Sequence, residues 1–142
     1  KYSLDVPVVE NRTYEIMNSS DLVIACSGTA TIESACLLKP LIVLYKVSFL
    51  SWSIVRWMVK IRNVAMVNIM AQKKVVPEFL QFRAKPSLIA EEALSLLRDI
   101  EKRRKMIEEL LIVRNALGPP GASERAARAV LRTIEDKKAL PL

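Results

Sequence analysis

The run Ser27-Gly28-Thr29-Ala30-Thr31, with Glu33 two residues further on, places three hydroxyls, a glycine and one carboxylate directly after the apolar segment Leu22-Val23-Ile24-Ala25. If the apolar segment is a buried strand and a helix starts at about Ala30, the hydroxyls fall on the turn between them. The first turn of a helix has N–H groups with no intrahelical partner and carries the positive end of the macrodipole. Gly28 lets a ligand approach the backbone, and the hydroxyls of Ser27, Thr29 and Thr31 add donors. Together they form an anion seat outside the carboxyl end of a strand, where α/β sheets bind ligands. Glu33, four residues past Thr29, lies on the same face one turn deeper. There a carboxylate avoids the phosphates and can accept hydrogen bonds from ribose hydroxyls. Diphosphate at the helix end and ribose on the carboxylate describe a nucleotide-sugar donor site. Yet Ser and Thr cap any helix and an early Glu favours it. The pattern is neither a GxGxxG fingerprint nor a P-loop. On these residues alone both readings stay open.

The elements that would position this turn are short apolar runs separated by helical stretches. Val6–Val9, Leu22–Cys26, Leu41–Tyr45 and Val64–Val67 read as strands. Arg12–Asn18, Ala30–Leu38 and Phe49–Lys60 read as helices, with Pro40 closing the second. Buried runs without alternation, separated by helices, indicate an α/β fold: a parallel sheet covered on both faces. The second half reads as helical. Pro86 suits a first helical position, and Ile89, Ala93, Leu96 and Leu97 form one face. Ile107, Leu110, Leu111 and Leu117 continue an apolar face in the next helix, with Glu101 and Lys105 paired. Gly118 is the expected C-terminal stop before Pro119-Pro120, and Ser123 the expected cap of a last helix with the stripe Ala127, Val130, Leu131, Ile134.

The composition narrows the chemistry further. The 142 residues suit one domain, and 51% apolar residues make it globular. Twenty-two Lys and Arg against fifteen Asp and Glu give +7, which favours anionic partners. Without His, the chain holds no Ser-His-Asp or Cys-His machinery. Cys26 and Cys36 read as small core residues in a reducing compartment, and no metal or cofactor is expected. No apolar run is long enough for a membrane span, and no signal peptide is legible. A chain beginning at Lys1 reads as a fragment or excised domain.

Two longer stretches carry a family resemblance. "SGTATIESACLLKPLIVLYKVS" (Ser27–Ser48), followed by "VNIMAQKKVVPEFLQ" (Val67–Gln81), resembles lipid-A-disaccharide synthase, and "GASERAARAVL" extends the similarity to the C-terminus. The resemblance implies an inverting glycosyltransferase of GT-B architecture. Residues 1–121 would form the Rossmann-like, donor-binding C-terminal half, and residues 122–142 a helix crossing toward the N-terminal half. It implies transfer from UDP-2,3-diacylglucosamine to the lipid acceptor 2,3-diacylglucosamine 1-phosphate, releasing UDP, on the cytoplasmic face of the bacterial inner membrane. The UDP-sugar is a substrate, not a cofactor. The general base, an Asp, would lie in the other half, leaving no catalytic residue here. Carried over by position, Ser27, Gly28 and Thr29 would hold the diphosphate, with Thr31 beside them, and Glu33 the ribose. Asn68 and Glu78 would line the cleft near the donor. The family often has Arg where this chain has Lys46 and Lys73, so these would contact phosphate as point charges.

"SFLSWSIVRWMVKIR" (Ser48–Arg62) is apolar around most of a helical wheel, with Ser53, Arg56 and Lys60 as a narrow polar stripe. Such a helix packs in a core or faces lipid. The lipid reading makes Phe49, Leu50, Trp52, Arg56 and Trp57 contacts for acyl chains or an anionic membrane surface. Two alternatives stand beside the main one: another GT-B UDP-sugar transferase, or a non-catalytic basic module on a membrane surface. Nucleic acid is not expected, since no reading motif is present and aromatics are only 6%. A homodimer is one way to cover the last helix's stripe.

Overall fold

A computed structural model describes residues 5–48 and 63–138. Its elements are α1 (Thr13–Ser19), β1 (Val23–Cys26), α2 (Thr29–Cys36), β2 (Leu41–Tyr45), α3 (Met66–Ala71), β3 (Glu78–Leu80), α4 (Pro86–Arg98), α5 (Ile100–Ala116) and α6 (Ala122–Lys138), with a 3-10 turn at Gln81–Arg83. The three strands form a parallel sheet in the order β1-β2-β3. Val23 lies opposite Leu41 and Val43 opposite Glu78. Helices flank the sheet and the C-terminal region is helical, as the apolar runs and their spacing predict.

The central strand holds the core. Leu41, Ile42 and Val43 are fully buried, the composition expected of a parallel strand between neighbours. α2 turns Thr31, Ser34 and Ala35 inward, and these small side chains let it approach the sheet and α5 closely. Their hydroxyls return to their own helix: Thr31 Oγ1 donates to Gly28 O at 2.8 Å and Ser34 Oγ to Ala30 O at 2.9 Å. Burial of those polar groups is thereby compensated. α4 packs on α5, which packs on α2 and α3. Asp99 breaks α4 from α5 and caps α5 by accepting the Lys102 N–H at 2.9 Å.

Several expectations are corrected. Val6–Val9 forms no strand, and Val6, Val8 and Val9 are exposed. A strand needs a neighbour for its ladder, none pairs with this segment among the described residues, and Pro7 lacks a donor. The Val64–Val67 run is not a strand either. Its second half opens α3, whose buried residues are Val67 and Asn68, and the third strand is Glu78–Leu80 instead. β1 is not covered on both faces: Val23 and Ala25 are half-buried, whereas Ile24 and Cys26 are exposed. Cys26 therefore is not a core residue, and Cys36, at the outer end of α2, is exposed too.

In α5 the buried face is Met106, Leu110 and Val113, with Leu111 and Leu117 exposed. Leu110 belongs to both the expected and the observed face, which runs through Met106 and Val113 instead of Leu111 and Leu117. Glu101 pairs with Arg104 at 2.6 Å rather than with Lys105. Gly118 does take the left-handed conformation (φ 82°) after α5. α6 begins one residue before Ser123, so Ser123 lies inside its first turn and is no cap. Val130, Leu131 and Ile134 of α6 are about half exposed. The predicted helix over Phe49–Lys60, and with it Phe49, Leu50, Trp52, Arg56 and Trp57, lies outside the described residues.

Candidate functional site

The turn from β1 into α2 sits at the carboxyl edge of the sheet. Ser27 N–H extends the ladder to Leu44 O at 3.0 Å, and the chain then enters α2 at Thr29. No side chain caps this end of α2, so the first-turn amides and the dipole face the edge. Gly28 is half-buried with an extended backbone (φ 161°), and a Cβ built on it would meet nothing within 4 Å. Thr29 is exposed beside it.

Two of the three hydroxyls serve the fold first. Ser27 Oγ donates to Val64 O at 3.0 Å, tying the turn to the loop ahead of α3. Thr31 is fully buried and its proton goes to Gly28 O. With the Ser27 proton committed to Val64 O, the edge offers backbone amides and the exposed Thr29 hydroxyl.

Glu33 is half-buried one turn up α2, and the Tyr14 hydroxyl of α1 donates to its Oε1 at 3.1 Å. Sequence reasoning missed Tyr14. It lies 19 residues away, and no local spacing signals that α1 leans on α2. The hydrogen bond to Glu33, and then the carboxylate charge, hold the Tyr14 phenol above its ordinary 10.0. The neutral phenol donates, so the bond is intact at neutral pH and is lost as pH climbs through the raised value. In a Glu33→Gln chain we expect Tyr14 to titrate nearer 10.0, read as phenolate absorbance against a Tyr14→Phe chain. An unmoved titration would mean the two side chains do not meet in solution.

Asn68 and Glu78 meet each other, and Glu78, half-buried, also borders the larger cleft described below. Asn68 is fully buried. Its Nδ2 donates to Val76 O at 2.9 Å and to Glu78 Oε1 at 2.7 Å, and its Oδ1 accepts from Val75 and Val76 N–H at 2.7 and 2.9 Å. Glu78 also accepts from Val64 N–H at 3.0 Å and Ala65 N–H at 2.9 Å. Lys46 is exposed just past β2, at the same edge as the start of α2, on a hollow of about 280 Å³ shared with Phe82 and Lys85. Lys73 is elsewhere. It precedes β3, at the amino end, and pairs with Glu109 at 2.6 Å. That pair lines the larger cleft, about 640 Å³, where Lys102 pairs with Glu92 at 2.8 Å. Much of that cleft's charge is neutralised internally, so its size does not make it the anion site.

The family model for lipid-A-disaccharide synthetase matches residues 1–131. The chain belongs to that family. Among its relatives, the lipid-A-disaccharide synthase of Anaeromyxobacter sp. (strain K) is 44% identical over 129 residues, 91% of this chain and 34% of that protein. The synthase of Syntrophus aciditrophicus (strain SB) is 43% identical over 92% of this chain and 34% of its own length. That of Nitrosococcus oceani is 38% identical over 94% and 34%. The chain thus spans about a third of the length of the curated relatives it matches. Membership in this family of lipid A glycosyltransferases fits an α/β sheet whose carboxyl edge carries an uncapped helix end. Among the described residues no helix is long and apolar enough to cross a membrane.

Proposed function

We propose that this chain is the donor-binding, C-terminal half of a GT-B lipid-A-disaccharide synthase, with the α2 end seating the diphosphate of UDP-2,3-diacylglucosamine. The observation that carries the reading is the open, uncapped turn at Gly28-Thr29 with Glu33 held by Tyr14 one turn deeper. The reaction is transfer to 2,3-diacylglucosamine 1-phosphate, forming the β-1,6 disaccharide and UDP. As the glycosidic bond to the diphosphate breaks, negative charge grows on the leaving oxygen. Amides already aimed at that position stabilise it without reorganising. Glu33 accepts from the ribose hydroxyls, and Lys46 adds positive charge at the same edge. The base that deprotonates the acceptor hydroxyl belongs to the other half.

Calorimetry with UDP and with pyrophosphate tests the site. Glu33→Ala should weaken UDP by about tenfold, as expected for hydrogen bonds to a charged group, and leave pyrophosphate nearly unchanged. Equal losses for both ligands would remove the ribose assignment. In the full enzyme, residues 122–142 would cross to the other half, which gives Val130, Leu131 and Ile134 a partner; a homodimer is the alternative.

The stretch containing Phe49, Leu50, Trp52, Arg56 and Trp57 is proposed as the contact with acyl chains at the cytoplasmic face of the inner membrane. The purified chain should then sediment with anionic vesicles at low salt. Failure to do so would leave that stretch to the core.

A further inference from the structure

We infer that Asn68, Glu78 and Gln81 are positioning residues: they hold from behind the two loops that carry Ser27 and Lys46, and none of them touches the ligand. This assigns a task to the stretch Pro77-Glu78-Phe79-Leu80-Gln81, and it rests on the reading of the α2 end as a diphosphate seat.

β3 is only three residues long, yet a polar side chain at each end of this stretch grips another loop's backbone. At its start, Glu78 accepts from the N–H groups of Val64 and Ala65 and from the Asn68 amide. Val64 in turn offers its carbonyl to Ser27 Oγ at 3.0 Å. One residue therefore links the carboxylate on β3 to the turn on β1, two strands away. After its end, Gln81 pairs with Val47 on both sides: Oε1 accepts Val47 N–H at 2.8 Å and Nε2 donates to Val47 O at 2.9 Å. A side-chain amide thus imitates a strand and fixes the residue directly after Lys46. Gln81 does so from a left-handed backbone (φ 44°), a conformation that costs free energy for a residue with a Cβ. The two bonds to Val47, with the Ala84 N–H donated to Gln81 O at 3.1 Å, offset that cost.

All three side chains are already engaged by groups of the chain itself. Asn68 is fully buried, and its four bonds use both Nδ2 hydrogens and two positions on Oδ1. Gln81 is 7% exposed with its carbonyl oxygen and its amide nitrogen both engaged. Glu78 receives three donors. An anionic diphosphate would in any case be repelled by the Glu78 carboxylate, so a role behind the loop suits its charge better than a role at the ligand.

The test uses the full chain, ¹⁵N-labelled, with pyrophosphate, UDP and a UDP-hexosamine as probes. Variants are Glu78→Ala, the milder Glu78→Gln in case the alanine chain does not fold, Ser27→Ala, and the double variant. The expected result has three parts. The amide resonances of Ser27, Gly28 and Thr29 shift in ligand-free Glu78→Gln. The dissociation constants of all three probes rise by the same factor, about tenfold for Glu78→Ala. The double variant binds no more weakly than the worse single one, because both act through the same link. A loss confined to the sugar-bearing probe, or multiplying factors in the double variant, would mean direct contact and overturn the inference. Unmoved Ser27–Thr29 amides in ligand-free Glu78→Gln would overturn it as well. If the unaltered chain bound none of the probes, the seat reading would fall, and the ligand-free shifts would still decide the positioning claim.

Discussion

Asn68→Ala is expected to cost the fold about 3 kcal/mol, a large share of the stability of a domain this size. The substitution removes four hydrogen bonds at once. It strands the N–H and C=O of fully buried Val76, and leaves Val75 N–H without its acceptor. Buried groups left unpaired cost more than the bonds themselves contributed. Asn68→Asp should not rescue the loss. It keeps the acceptor for Val75 and Val76 but removes both donors, and it sets a second carboxylate where Nδ2 now lies 2.7 Å from Glu78 Oε1. Urea unfolding with linear extrapolation measures both variants. A loss under about 1 kcal/mol for the alanine chain would mean that water enters and re-pairs those groups.

Gly28→Ala should do the reverse. The backbone at Gly28 is extended, and an added Cβ meets nothing within 4 Å, so the melting temperature should stay where it is. The methyl group would then occupy the space through which an anion approaches the amides of the α2 end. Affinity for UDP and pyrophosphate should both fall, by roughly tenfold to a hundredfold, as expected when a ligand loses direct amide contact. Unchanged affinity beside an unchanged melting temperature would leave Gly28 without a ligand role. Set against Asn68→Ala, this variant separates residues that touch the ligand from those that build its surroundings.

Chain-local signals carried much of the architecture. Leu41–Tyr45 is β2 with the predicted bounds, because a β-branched apolar run after a proline has few other ways to be buried. The strand-to-helix switch at Ser27-Gly28-Thr29 was legible for the same reason, since a glycine and hydroxyls follow an apolar run there. The four-residue run Val64–Val67 was not. Its apolar character fits a strand or a helix end equally, and Glu78, thirteen residues beyond Ala65, helped decide by accepting the amides of Val64 and Ala65. Likewise the α5 face around Leu110 could include either Leu111 and Leu117 or Met106 and Val113, and packing on α2, α3 and α4 buried the second pair.

The sequence by itself determined the α/β class, the strand-to-helix turn at Ser27-Gly28-Thr29, the basic charge and, through two motifs in order, the family. These depend on residue type and short spacing, which the chain carries locally. Only the tertiary structure decided the partners. It gave Tyr14 to Glu33, Val64 to Ser27 and Val47 to Gln81, and it turned Asn68 inward. Hydrogen bonds between residues 19 to 37 positions apart leave no periodic trace, because any Asn, Glu or Gln reads alike until folding chooses its neighbour.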